Sequence, residues 1–123
     1  DRFLIAASRF YDIIKSTIIS GKGFIMSDNI NLLVTYTIKG NKRQEFLAAV
    51  NQIDLVRKTR KETGNKEYRY LLPIDNYAQI VLIESWTDEE CFNRHRETEH
   101  FKELVKIKEK YVINTSTENF RIV

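Results

Sequence analysis

The chain has few of the residues that carry strong structural or chemical signals. Its 123 residues include one cysteine, one proline, one tryptophan, one methionine, two histidines and four glycines. A lone Cys91 excludes an intramolecular disulfide and makes a structural cysteine-based zinc site improbable. It fits a reducing setting, so we expect a cytoplasmic protein.

Long apolar runs and a strong excess of one charge are also missing. No run approaches the roughly 18 uninterrupted apolar residues of a membrane-spanning helix. The first twenty residues, interrupted by Arg9, Asp12 and Lys15, lack the apolar core and the small-residue cleavage site of a signal peptide. The 20 Lys and Arg residues barely exceed the 17 Asp and Glu residues, for a net charge of +3. We therefore expect neither a nucleic-acid partner nor a membrane partner.

The length and composition predict one compact domain, since 42% of the 123 residues are hydrophobic. Met26 is the only methionine, and a strand-like run follows it. We expect a core domain over residues 26–123, with residues 1–25 as an amphipathic helix and hinge added to it. Apolar residues recur at helical spacing in that helix: Phe3, Ala7, Phe10 and Ile14.

From Ile30 onward the hydrophobic pattern predicts strand, helix, strand, strand, helix, strand. Apolar residues alternate over residues 30–38, as in a half-buried strand. A helix of roughly five turns is predicted next, because Phe46, Val50, Ile53 and Arg57 keep helical spacing and a basic cluster with Gly64 after it ends the pattern. Strands over residues 66–72 and 78–87 flank a Pro-Ile-Asp-Asn turn and predict a hairpin. A helical region broken at Thr98 and a last strand complete the pattern.

This order of elements is typical of the ferredoxin-like split βαβ arrangement. It is an α+β fold, with a four-stranded antiparallel sheet that has helices on one face. The other face of such a sheet is left open and apolar, so something has to cover it. Face-to-face pairing of two copies is the simplest solution, and we expect a homodimer.

The rarest residues cluster near the predicted third strand. Glu84-Ser85-Trp86 is followed by His95 and then by His100-Phe101. Because side chains alternate along a strand, Glu84 and Trp86 share one face. If the following helix turns His95 toward the sheet, its imidazole lies near that strand end.

The spacing in the following helix favours this arrangement. Cys91 lies four residues before His95, and Phe92 lies three residues before it, so all three side chains point to one side. His100 lies beyond the predicted break at Thr98, and the pattern does not place it.

Together these features resemble the antibiotic biosynthesis monooxygenase superfamily, and most closely its quinol-monooxygenase-like branch. The resemblance covers about residues 30–123 and rests on the joint spacing of several short motifs rather than on any one of them. These motifs are Glu62-Thr63-Gly64-Asn65, the aromatic strand with Tyr68 and Tyr70, Glu84-Ser85-Trp86, and His95-x(4)-His100-Phe101.

The resemblance implies a dimeric α/β-barrel with a pocket between sheet and helices in each subunit. It also implies that dioxygen oxygenates a hydroquinone-like or polycyclic phenolic molecule without flavin, haem or metal. A deprotonated phenol can pass an electron to dioxygen, so a base and an apolar pocket suffice.

Site residues follow from the same resemblance. His95 is the expected base, because its ordinary pKa is the one nearest neutrality, and Glu84 is expected to orient it or the substrate. The residues expected to bind the substrate are Trp86, Phe92, Tyr68, Tyr36 and His100. Core packing is the simpler interpretation for Trp86 and Phe92, and a structural role is the simpler one for His95.

The haem-degrading branch of the superfamily fits less well. That branch carries an asparagine on the first strand, a tryptophan in the helix after the third strand and an axial histidine further on. The corresponding positions here are Leu33, His95 and Val105. No haem is predicted.

Two other functions remain open. A second enzyme branch isomerises a phosphorylated signalling molecule, for which Arg94, Arg96 or Lys102 could hold the phosphate. The third hypothesis is a dimeric small-molecule-binding module without turnover.

Overall fold

A computed structural model describes residues 29–121. The helix and hinge predicted for residues 1–25 lie outside the described residues. The described elements are β1 (Ile30–Ile38), α1 (Arg43–Gln52), α2 (Leu55–Arg60), β2 (Asn65–Leu71), β3 (Gln79–Trp86), α3 (Glu89–His95), α4 (Glu99–Tyr111) and β4 (Val112–Asn119). None of the helices in this range is long and apolar enough to span a membrane.

The four strands form one antiparallel sheet in the order β2-β3-β1-β4. In the centre, Leu32 of β1 lies opposite Glu84 of β3, and Tyr36 lies opposite Ile80. On the other side of β3, Tyr68 of β2 also lies opposite Glu84. The predicted hairpin and the predicted α+β ferredoxin-like fold are therefore confirmed.

The core lies between one face of the sheet and the helices. Apolar side chains that alternate along β1 and β3 meet helical side chains there, and Phe46, Leu55 and Ile80 have no exposed surface. Full burial of one such side chain contributes roughly 1.5–3 kcal/mol to stability. The remaining fully or almost fully buried members of this core are Leu32, Val34, Tyr36, Ile38, Val50, Tyr68, Leu82 and Leu104.

The predicted five-turn helix is wrong, because the chain breaks it into α1 and α2. Asp54 adopts a left-handed conformation (φ 56°, ψ 38°) between them. Aspartate tolerates this conformation better than most residues, and its carboxylate pairs with Arg57 one turn later. The break lets α2 pack against β2, and the turn that follows α2 carries Glu62 to the site described next.

Candidate active site

The end of β3 buries a carboxylate and an indole side by side. Trp86 has no exposed surface, and Glu84 is 6% exposed. The indole Nε1 donates a hydrogen bond of 2.9 Å to Oε1 of Glu84. The two side chains therefore share one face of the strand, as predicted, and each satisfies a buried polar group of the other.

His95 packs against this strand end. It ends α3, which begins where Oδ1 of Asp88 accepts a hydrogen bond of 2.8 Å from the backbone N of Cys91. The imidazole is 1% exposed, and its centroid lies 4.7 Å from that of the Trp86 indole. Phe101 lies 5.1 Å away on another side. The predicted proximity of His95 to the end of β3 is confirmed.

A carboxylate that sequence reasoning did not select as a site residue joins the two histidines. Oε2 of Glu62 lies 2.7 Å from Nδ1 of His95 and 2.7 Å from Nε2 of His100. An ionised carboxylate only accepts hydrogen bonds, so each of these ring nitrogens carries the proton. His100, which the pattern did not place, therefore belongs to the same cluster.

A glycine holds the Glu62 turn against α3. Gly64 has a positive φ of 84°, and a Cβ at this position would lie 2.4 Å from Sγ of Cys91. The carbonyl of Gly64 accepts a hydrogen bond of 2.9 Å from the backbone N of Thr87. Only a residue without a side chain fits this contact, and the contact fixes the turn beside the helix that carries His95.

Comparison with known proteins shows which family the chain belongs to. A family model for antibiotic biosynthesis monooxygenases matches residues 29–107. The chain belongs to this family. No curated protein matches it.

Several solved structures have the same fold as this chain. A candidate antibiotic biosynthesis monooxygenase from Nitrosomonas europaea has a TM-score of 0.73 at 17% identity, over 81% of this chain and 95% of the other. A protein from Pseudomonas aeruginosa has a TM-score of 0.71 at 23% identity, over 81% of this chain and 100% of the other. A Bacteroides thetaiotaomicron protein described as a possible oxidoreductase has a TM-score of 0.68 at 21% identity, over 79% of this chain and 100% of the other. At these identities the likeness extends to the fold alone.

Burial sets the charge state at the centre of this family member's site. It lowers the pKa of His95, and the hydrogen bond and negative charge of Glu62 oppose that effect without cancelling it. His95 is therefore neutral at pH 7, with Nδ1–H directed at Glu62 and a lone pair on Nε2. Burial also raises the pKa of Glu84, and the Trp86 hydrogen bond and the positive charge of Lys108 oppose that rise.

Two of the predicted substrate-binding residues lie around this histidine. The Tyr68 ring centroid is 5.9 Å from that of His95. The Phe92 ring is stacked on His95 with the ring centroids 6.5 Å apart, and the Arg96 guanidinium carbon lies 4.8 Å from the Phe92 ring centroid. The structure therefore brings Trp86, Phe92, Tyr68 and His100 together around His95.

Tyr36 makes no ring contact with His95 among the described residues. It pairs with Ile80, four residues before Glu84 on β3, a step of roughly 13 Å along a strand. Its ring packs 5.8 Å from that of Phe46, and Nζ of Lys108 lies 5.0 Å from the ring centroid. Its phenol still faces the same interior, since burial and the charges of Tyr70 and Glu84 all raise the pKa of Tyr36.

Two tyrosine hydroxyls in this interior have no hydrogen-bond partner outside their own pair. They belong to Tyr68 and Tyr70, whose ring centroids are 5.9 Å apart in an edge-to-face arrangement. Leaving a buried hydroxyl without a partner costs roughly 1–3 kcal/mol. Tyr68 was predicted from the sequence as a substrate-binding residue, whereas Tyr70 entered only as part of the aromatic-strand motif.

The histidine cluster also has a donor set that could hold a metal. The donor atoms of Glu62, His95 and His100 all lie within 4.8 Å of one another, and this is the one such group among residues 29–121. Two imidazoles and one carboxylate are the protein ligands of many zinc and non-haem iron sites. Here each imidazole contacts the carboxylate directly, so an ion would have to replace both hydrogen bonds.

Proposed function

We propose that this chain is a monooxygenase that uses no cofactor and acts on a hydroquinone-like or polycyclic phenolic small molecule. The observation that carries the proposal is the 2.7 Å contact between Oε2 of Glu62 and Nδ1 of His95, beside the Trp86 indole. It combines a buried neutral imidazole, a carboxylate that orients it, and aromatic walls.

The carboxylate gives His95 the properties of a general base. Because Nδ1–H is held by Glu62, the lone pair on Nε2 is available to take a phenolic proton. The imidazolium that forms is stabilised by the negative charge of Glu62, as in catalytic triads. His100 donates to the same oxygen and so helps to hold the Glu62 carboxylate in place.

The phenolate supplies the electrons for the rest of the reaction. A hydroquinone and dioxygen give a hydroxyquinone and water, because one oxygen atom enters the ring and the other leaves as water. The substrate is the only reductant, so the balance requires no external electron donor. The low-dielectric aromatic surroundings of His95 would keep competing water away from the reactive intermediate.

Oxygen consumption tests this proposal directly. In chelator-treated buffer, a panel of hydroquinones should include at least one that is oxygenated. His95→Ala should lower the rate by roughly 10²- to 10⁴-fold, as for a lost general base. His95→Gln keeps the side-chain size if the alanine variant folds poorly. Full turnover in a folded His95→Gln protein would exclude His95 as the base.

The isomerase alternative is less well supported than the oxygenase, because the three cations that could hold a phosphate already contact neighbouring residues. Each is engaged near its own position: Arg94 contacts Sγ of Cys91 and Glu90, Arg96 covers the Phe92 ring, and Lys102 pairs with Glu99. Anaerobic conversion of a phosphorylated sugar-like molecule would favour this alternative. Ligand binding without any product would favour a non-catalytic binding module.

We also propose that the protein acts as a homodimer in the cytoplasm. The dimer is the assembly that the resemblance to the family implies. The expectation of an open apolar face is wrong, because Leu33 and Val81, on the face of the sheet opposite to the core cluster, are only 3% and 2% exposed in the single chain. Cys91, which is free and buried, fits a reducing compartment. A molar mass of one chain in light scattering would exclude the dimer.

A further inference from the structure

The two hydroxyls without outside partners lie next to the proposed base. Tyr68 is 1% exposed, pairs with Glu84 across the sheet and has its ring centroid 5.9 Å from that of His95. Tyr70 is two residues further along β2 on the same face, because side chains alternate along a strand. Both hydroxyl oxygens are buried, and neither has a hydrogen-bond partner other than the neighbouring tyrosine hydroxyl.

The two hydroxyls cannot fully satisfy each other. They have two protons between them, and a mutual hydrogen bond would use only one. One buried O–H would still lack an acceptor. Burial also raises the pKa of both phenols, so they are hydrogen-bond donors rather than bases. The missing partner is therefore an acceptor, and a carbonyl or phenolic oxygen can accept from two donors at once.

We infer that the hydroxyls of Tyr68 and Tyr70 form a subsite for a second oxygen atom of the substrate. The preferred ligands are then aromatic molecules with two oxygen substituents, one beside His95 and the other at the tyrosine pair. The assignment of the first oxygen rests on the proposed function, whereas binding of the second oxygen requires no turnover. Aromatic molecules with a single oxygen would leave the tyrosine protons without an acceptor.

Anaerobic binding measures this subsite without oxygenation. Calorimetric titration with 1,4-dihydroxynaphthalene and with 1-naphthol compares ligands that both donate a phenolic proton to His95 and that differ only in the second oxygen. The dihydroxy ligand should bind the unaltered protein about tenfold more tightly, as expected for one added hydrogen bond. Tyr68→Phe and Tyr70→Phe should each reduce this preference severalfold. Tyr77→Phe is the matched control, because Tyr77 is 78% exposed, and it should leave the preference unchanged.

Thermal unfolding of the ligand-free variants adds an independent readout. Removal of a hydroxyl without a partner should leave the melting temperature unchanged or raise it. A clear drop in both variants would show that the hydroxyls serve the fold and would overturn the inference. An unchanged preference in both variants, or no binding of either ligand to the unaltered protein, would also overturn it. In His95→Gln the preference for the dihydroxy ligand should persist, so a failed base and a failed subsite give different results.

Discussion

Glu84 and Trp86 are joined by a hydrogen bond along a single strand, from Nε1 of the indole to Oε1 of the carboxylate at 2.9 Å. This bond satisfies the indole N–H where water is excluded, and it leaves a carboxylate buried next to the histidine cluster. Burial raises the pKa of that carboxylate above its ordinary value of 4.5.

The first prediction concerns stability against pH. Above pH 4.5 the unfolded chain releases the Glu84 proton while the folded protein still holds it. In this pH range the folded protein binds more protons than the unfolded chain. The contribution of Glu84 to the free energy of unfolding therefore falls as the pH rises through the raised pKa. Glu84→Gln removes this effect and keeps an oxygen that accepts from Trp86. Urea unfolding from pH 4.5 to 7.5 should show the variant gaining stability relative to the parent.

Glu84→Leu is the control for the hydrogen bond. It removes the titrating group and also the acceptor, so the buried Trp86 N–H is left without a partner, at a cost of roughly 1–3 kcal/mol. The leucine variant should therefore be less stable than the glutamine variant at every pH. Equal stability of the two would mean that the hydrogen bond does not contribute.

The second prediction concerns the carboxylate between the histidines. Glu62→Gln keeps the size of the side chain but removes the charge that stabilises a protonated His95. We expect kcat to fall by about tenfold or more, since charge-assisted hydrogen bonds are roughly twice as strong as neutral ones, with little change in KM. Steady-state kinetics with a hydroquinone that the parent protein oxygenates would measure the effects on kcat and KM separately. A variant with the kcat of the parent would show that Glu62 has no part in catalysis.

The third prediction concerns divalent metals. Chelators should leave the oxygenation rate unchanged, because the proposed reaction requires only a base and dioxygen. Added Zn²⁺ should inhibit, since Glu62, His95 and His100 are the ligand types that zinc prefers. His100→Gln should weaken the inhibition. If chelation instead abolishes turnover and Fe²⁺ restores it, the proposal that the reaction uses no cofactor is wrong.

The fourth prediction compares two glycines. Gly64→Ala would place a Cβ 2.4 Å from Sγ of Cys91 at a positive φ of 84°, whereas Gly40→Ala at φ 48° meets nothing within 4 Å. Both variants carry the left-handed penalty of roughly 1–2 kcal/mol, and only the first adds a clash. Chemical unfolding should show a larger loss for Gly64→Ala. Equal losses would mean that the turn can move away from α3.

Strand periodicity was enough to predict the geometry at the end of β3. The alternation that puts Glu84 and Trp86 on one face requires no knowledge of distant contacts, and the spacing of Phe92 and His95 on α3 is equally local. The fold class could be predicted in the same way, because helices and strands each show a characteristic spacing of apolar residues in the sequence.

The rest of the site depends on contacts that no local pattern encodes. Glu62 lies in a turn, where side-chain direction has no period, although the Glu62-Thr63-Gly64-Asn65 motif before an aromatic strand was the available signal. The break at Asp54 escaped prediction because the apolar spacing continues through it. Phe46 and Val50 face the core in α1, and Leu55 does so again in α2.

The contacts of Glu62 also make the site a reporter of folding. This residue meets His95 across 33 positions of the chain and His100 across 38, so the cluster forms only after the β2-β3 hairpin has closed and α3 has docked. Contacts of long sequence separation form late, because the entropy of closing the loop must be overcome first. The imidazole resonances of these two histidines, the only two in the chain, would therefore report when this long-range cluster forms and when it opens locally.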